Sequence, residues 1–353
     1  MVKNSHIRVA MIGAGAICRS RHLPGLAKLD GVEVVAVSNR SRKSGESVAS
    51  DFGIPQVVDD WQDLLKRDDV DAVFIGTWPY MHKAMSIAAL EAGKHVFCQA
   101  RMCMNLDEAK DMTAAAEAHP GLVHMICPPP HRMPHEPFIK HVLTDGRLGE
   151  ITAVTLTSVS GMNVGNDTLH WRENIAYSGR QILAMGILAE TLNAWVGPYQ
   201  ALHANLGTFI KTKKDDAGKA VEVKVPQVVT IQGTLANGAL CSEYHTGLAT
   251  HQAHLPGDEL IVYGLNGAMR LCMMSSLLEI AEKGGEFKPV TPPAELIRDW
   301  QVEPDFIDAV RAAQAGKPWQ VSPDFHEGLE YMQKVEAVHV SAETGRTVEL
   351  ASL

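Results

Sequence analysis

A handful of side chains in this 353-residue chain have the types and settings that acid–base or anion-binding chemistry requires. Tyr80, His131 and His170 carry groups that donate or accept protons, and histidine does so near neutral pH. Arg101 and Arg180 present forked guanidinium donors that together suit a carboxylate, phosphate or sulfonate held bidentately. Gln181 adds an amide at helical spacing from Ala184 and Leu188, which predicts that these three share the face of a helix over 181–195. The same residue types also occur as solvated or packing residues, so the elements that position them decide the matter.

The strongest positional signal is Gly13-Ala14-Gly15-Ala16-Ile17-Cys18, directly after the apolar strand pattern Ile7–Ile12 and before a helical pattern running through Leu29. Gly13 permits a tight turn and Gly15 lets the backbone approach a pyrophosphate. Ala16 and Ile17 open a helix whose free N–H groups and dipole favour that charge. Cys18 takes the third, small-residue place. This is the dinucleotide fingerprint in its confirming strand–turn–helix context. The next strand, Glu33–Ser38, ends in Asn39-Arg40-Ser41. A neutral residue there does not repel a 2′-phosphate, and Arg40 and Ser41 can bind one, so the pattern leans to NADP, with NAD left open. Thr77, Trp78 and His82, after the strand ending at Thr77, and Gln99, after His95–Cys98, complete the expected cofactor-side set.

Strands and helices alternate at crossover spacing to about residue 128, which predicts a doubly wound parallel sheet. The expected division is therefore a Rossmann domain over 1–128 and a second domain over 129–353. In the latter, Ile151–Val159, 201–209, 227–235, 239–246 and 259–263 read as strands. Asn266-Gly267 reads as a hairpin turn and Lys211–Lys219 as a charged, exposed turn. The second fold is thus α+β.

A formal net charge of −9 without a basic tract speaks against nucleic-acid or membrane-surface partners. The six cysteines form no CxxC pair, as expected of reduced cytoplasmic thiols. Met1–His6 run straight into a strand, as in a chain without a signal peptide. Glu243, His245, His251 and His254 lack the spacing of a zinc helix, and no metal is expected.

Together these landmarks resemble the Gfo/Idh/MocA family, the glucose-fructose oxidoreductase and inositol dehydrogenase group. The likeness rests on Gly13–Ile17, on Asp71-Ala72-Val73 running to Thr77 and His82, and on Ala92-Gly93-Lys94-His95-Val96. It continues through Asp145–Ile151, Trp171-Arg172, Gly186–Gly197 and Ser341–Val348. The resemblance implies a Rossmann half followed by a half with a large, open, mostly antiparallel sheet that forms a homodimer or homotetramer, which makes 129–353 the substrate-binding and oligomerisation domain. It implies hydride transfer between NAD(P) and a hydroxyl or carbonyl carbon of a small polar substrate, such as a sugar, polyol or hydroxy acid.

The chain departs from that family where acid–base catalysis is expected. Gln99-Ala100-Arg101 stands for Glu-Lys-Pro, and Ala184 and Leu188 stand for the helix Asp and His. Neither alanine nor leucine moves a proton. Three readings follow: an oxidoreductase with relocated acid–base residues, a nucleotide-dependent enzyme of net non-redox outcome (a lyase, epimerase or glycoside-cleaving enzyme), or a non-catalytic NAD(P)-binding protein.

Overall fold

The structure, a computed structural model, describes residues 6–129, 132, 134–250, 257–273 and 275–353. The chain divides into two compact units, one of Met1–Pro128 with Gln301–Leu329 and one of Pro129–Trp300 with Glu330–Leu353. The expectation of one uninterrupted second domain from 129 to 353 therefore needs correction, because residues 301–329 belong to the first unit. The reason is packing. Phe306, on α9 (Val302–Gln314), meets Phe74 and Phe97 edge-on at ring-centroid distances of 5.2 and 5.6 Å.

The first unit carries six parallel strands in the order β3-β2-β1-β4-β5-β6: β1 (Ile7–Ile12), β2 (Val32–Ser38), β3 (Gln56–Val57), β4 (Ala72–Ile75), β5 (His95–Cys98) and β6 (His124–Ile126). Every residue of β4, β5 and β6 is buried, as a parallel sheet covered on both faces requires. The strand order reverses between β1 and β4, so the ligand crevice of this half lies at their carboxyl ends, at Gly13 and Thr77. Helices α2 (Arg42–Phe52), α4 (Pro79–Glu91) and α5 (Leu106–Ala118) make the crossovers. Asn105 caps α5 through the Glu108 N–H, and Asp107 and Glu108 occupy its first turn.

Among the described residues, the second unit is built on a nine-stranded sheet in which only β7 (Ile151–Val159) and β12 (Leu240–Thr246) pair in parallel. The other neighbours are antiparallel, among them β8 (Tyr199–Gly207), β11 (Val228–Leu235), β13 (Asp258–Gly264) and β14 (Gly267–Cys272). The hairpin expected at Asn266-Gly267 forms, with Leu265 and Asn266 as the link and Gly267 already in β14. Lys211–Lys219 is not simply an exposed turn. It contributes a short strand over Thr212–Lys214, whose alternation turns Lys213 inward to pair with Glu173 at 2.8 Å. No helix among the described residues is long and apolar enough to cross a membrane.

Candidate functional site

The glycine turn has the geometry its sequence predicts. Gly13 sits at φ +80°, and a Cβ there would lie 2.5 Å from Thr77 Cγ2, so the turn closes against the end of β4 only with glycine. Gly15, Ala16 and Ile17 are exposed, and a Cβ on Gly15 would have its nearest neighbour 4.0 Å away. That face is open to an anion, while the first-turn N–H groups beyond it have no intrahelical partner. Cys18 is buried against Gly76, and burial pushes its thiol up to about 12, which makes it a packing residue and not a nucleophile.

The end of β2 is tied to this turn. Asn39 Oδ1 accepts the Ala14 N–H at 2.7 Å, and Asn39 Nδ2 donates to Ser44 Oγ at 3.0 Å. Ser41 caps α2 through the Ser44 N–H. Arg42 is held by Glu46 and Asp59 on the surface, whereas exposed Arg40 makes no ion pair among the described residues. Of the basic residues after β2, Arg40 and Lys43 make no ion pair among the described residues, and Arg40 is the one next to Asn39.

Around the end of β5, His82 is fully buried and joins two loops. Its Nδ1–H donates to the Arg101 carbonyl at 2.8 Å, and its Nε2 lies 3.0 Å from the Thr77 carbonyl. Burial lowers its pKa, partly opposed by these carbonyls. A buried ring engaged on both sides positions Thr77 and Arg101 and is not itself a cofactor contact, which corrects the direct role expected for it. The Ala100–Arg101 peptide is cis, and Arg101 is 6% exposed. Trp78 is the residue before α4 and makes no side-chain capping bond, and Tyr80 in the first turn is exposed. Gln99 is buried, with its amide against His22.

The candidates in the second unit fare differently. His131, His251 and His254 lie outside the described residues. His170 is exposed and caps a short turn: its Nδ1 accepts the Arg172 N–H at 3.3 Å while Glu173 Oε2 accepts the His170 N–H at 3.2 Å. Arg180 is engaged by Glu336 at 3.4 Å and Glu343 at 3.3 Å, which removes it from the anion clamp expected with Arg101. Gln181 does not lie on the helix. Leu183 adopts φ +47° and α8 starts only at Met185, running to Val196. Gln181 is completely buried against Met332 and fills the space over Gly186, so the cleft-facing role expected for it is not what the fold provides. Ala184 is the residue before α8, and Leu188 is wholly buried. His135, before α6 (Glu136–Thr144), has no partner for either ring nitrogen among the described residues, and burial lowers its pKa.

Two other groups resemble metal sites. Glu243 and His245 form a buried pair at 2.9 Å with Lys334 on the same carboxylate, which is an ion-pair cluster. His124, Asp324 and His326 bring one ligand atom each within 4.8 Å of the others. Yet His124 Nδ1 and Asp324 Oδ1 already accept the N–H groups that open α10 (Phe325–Thr344), at the positive end of that helix.

Sequence reasoning missed His22 and Glu303. His22 donates from Nδ1 to Glu303 Oε1 at 2.5 Å, both side chains are sealed from solvent, and 281 residues separate them in the chain. A histidine one turn beyond a glycine-rich loop was a visible signal for the first; nothing local marked the second.

The parallel sheet, the glycine turn at its switch point and the anion-open helix start define a dinucleotide-binding Rossmann protein. Residues 7–126, the Rossmann part of the chain, match the Gfo/Idh/MocA family model described as "Oxidoreductase family, NAD-binding Rossmann fold". It is 33% identical over 147 residues to an inositol 2-dehydrogenase of Serratia proteamaculans, covering 41% of this chain and 43% of the relative. It is 27% identical over 231 residues to a levoglucosan dehydrogenase of Pseudarthrobacter phenanthrenivorans, covering 61% and 57%. The chain thus spans less than two thirds of either relative. A solved levoglucosan dehydrogenase in complex with NADH superposes with a TM-score of 0.84 over 98% of this chain and 99% of that one, at 21% identity, a likeness of fold.

Proposed function

We propose that this chain is an NAD(P)-dependent oxidoreductase acting on a hydroxyl- or carbonyl-bearing carbon of a small polar substrate, in the range of sugars, polyols and hydroxy acids. The observation that carries the reading is the open glycine turn at the β1–β4 reversal, joined to β2 through Asn39. The relatives named above point to the same substrate class. The chemistry supplied by a bound nicotinamide dinucleotide is hydride acceptance or donation. The chain's own residues hold its pyrophosphate at Gly13–Ile17 and its adenosine end beside Asn39, Arg40 and Ser41. Thr77, Trp78 and the Gln99–Arg101 loop lie toward the other end.

The neutral Asn39 beside the free cation Arg40 favours NADP over NAD. Arg101 supplies charge for an anionic substrate group, and Tyr80 and His131 are the proton-moving candidates that replace the aliphatic Ala100, Ala184 and Leu188. Those three replacements also favour a second reading, a nucleotide-dependent reaction of net non-redox outcome. Exposed Leu240, Tyr244 and Tyr263 on the large sheet support a homo-oligomer. Six buried cysteines, none of them in a disulfide, support a cytoplasmic setting.

The test is direct. NADPH and NADH titrated into the protein should show fluorescence enhancement, and a substrate panel followed by absorbance of the reduced cofactor should give turnover. Product formed without net absorbance change would select the second reading. Absence of nucleotide binding would end both.

A further inference from the structure

We propose that Glu303 and His22 are positioning residues that fix the side-chain amide of Gln99, and with it the loop that receives the nicotinamide end of the cofactor. The inference rests on the dinucleotide-binding reading above. All three residues belong to the first unit.

The arrangement is a built one. Glu303 is 1% exposed at the side chain and His22 is 0% exposed, among the aromatic rings of Phe74 and Phe97. Taking a carboxylate out of water costs several kcal/mol unless it is paired, so such a group is kept only where its partner is well placed. Space for it is made by Gly25, where a Cβ would lie 2.9 Å from Glu303 Oε2. His22 itself closes a π turn, Cys18–His22, directly after the glycine loop, and such wide turns are frequent at functional sites.

The chemistry of the contacts sets a polarity. A carboxylate only accepts, so His22 donates its Nδ1 proton to Glu303. The group facing Nε2 is the NH₂ of Gln99, which can only donate, so Nε2 accepts. The amide is thereby held in one of its two orientations, with Oε1 turned away from His22. Gln99 begins the loop after β5, its backbone N–H bonded to the Ile75 carbonyl at 2.9 Å, and it immediately precedes Ala100 and Arg101. A carboxylate buried at the start of α9 thus determines which face a cofactor-side amide presents.

The experiment compares NADH with ADP-ribose, which lacks the nicotinamide, on the full chain. Wild type should bind both. Glu303→Gln should weaken NADH tenfold or more while leaving ADP-ribose within twofold. Gln99→Met should give the same selective loss, and the double variant should be no worse than either single one, because the two act through one amide. Equal loss of both ligands, unchanged NADH affinity, or additive losses would overturn the proposal. If wild type bound neither ligand, the dinucleotide reading itself would fall, which is a distinct result. Should Glu303→Gln not fold, Gln99→Met read against the same two ligands decides, and loss of NADH discrimination there is required.

Discussion

Asn39 Oδ1 accepts the backbone N–H of Ala14 at 2.7 Å, so the residue at the end of β2 holds the glycine turn in place. A carboxylate in its position would keep that bond and add charge beside the adenosine site. Asn39→Asp should therefore fold normally, hold NADH within a few-fold, and weaken NADPH tenfold or more through repulsion of the 2′-phosphate. Fluorescence titration of the two nucleotides measures this, and an unchanged NADPH to NADH ratio would remove Asn39 from the specificity argument.

Arg101 is buried at 6% exposure, and its carbonyl is held by His82. In the proposed role its guanidinium would hold a planar anionic group by two parallel bonds, a geometry that lysine does not reproduce. Arg101→Ala should lower kcat/KM by a hundredfold or more on whichever substrate the panel returns, and Arg101→Lys should recover little of it. NADH affinity should change far less. Full kcat/KM in the alanine variant would exclude an anchoring role.

The two loops that His82 joins have no obvious replacement for its ring. In His82→Leu the Arg101 carbonyl loses its donor and the Thr77 carbonyl loses its neighbour, at about 1–3 kcal/mol for a buried group left unsatisfied. The urea midpoint should fall accordingly, and NADH binding should weaken because Thr77 and Arg101 are no longer held. A variant with wild-type stability and affinity would show that the loops are fixed by other contacts.

The parts legible in the sequence were those with local signals. The glycine turn, the apolar runs of β1, β4 and β5, and the Asn105 cap each declare themselves within a few residues. What was not legible depended on distant partners. The pattern of α9 shows a buried face but carries no mark of which sheet it covers, and Phe306 sends it back to Phe74 and Phe97. Gln181 fits a helical period, yet Leu183 at φ +47° breaks the run and leaves the amide packed over Gly186. Lys213 reads as part of a solvated charge run until Glu173, 40 residues away, draws it inward. His170 could have been read more closely, since Glu173 three positions on completes a capping box.

Glu243 carries the clearest pH dependence. Tyr199 O–H donates to its Oε1 at 2.7 Å, Lys334 Nζ lies 2.6 Å from the same oxygen, and His245 donates to Oε2 at 2.9 Å. Burial alone would raise its pKa, but Lys334 and His245 outweigh burial and hold it at about 2, against an ordinary 4.5. The unfolded chain therefore takes up this proton first. The stabilisation is complete above pH 4.5, declines below it and is lost as pH falls through about 2, a difference worth about 3 kcal/mol. Glu243→Gln should remove that acid slope and, by leaving Lys334 buried without its counter-charge, cost about 3–5 kcal/mol at neutral pH. Adding Lys334→Met should return much of the loss, because an apolar pair carries no uncompensated charge. Urea midpoints measured at pH 7, 4.5 and 3 would check all three statements. If the single variant lost stability as steeply in acid as wild type, the slope would belong to other carboxylates and Glu243 would be a neutral passenger in the core.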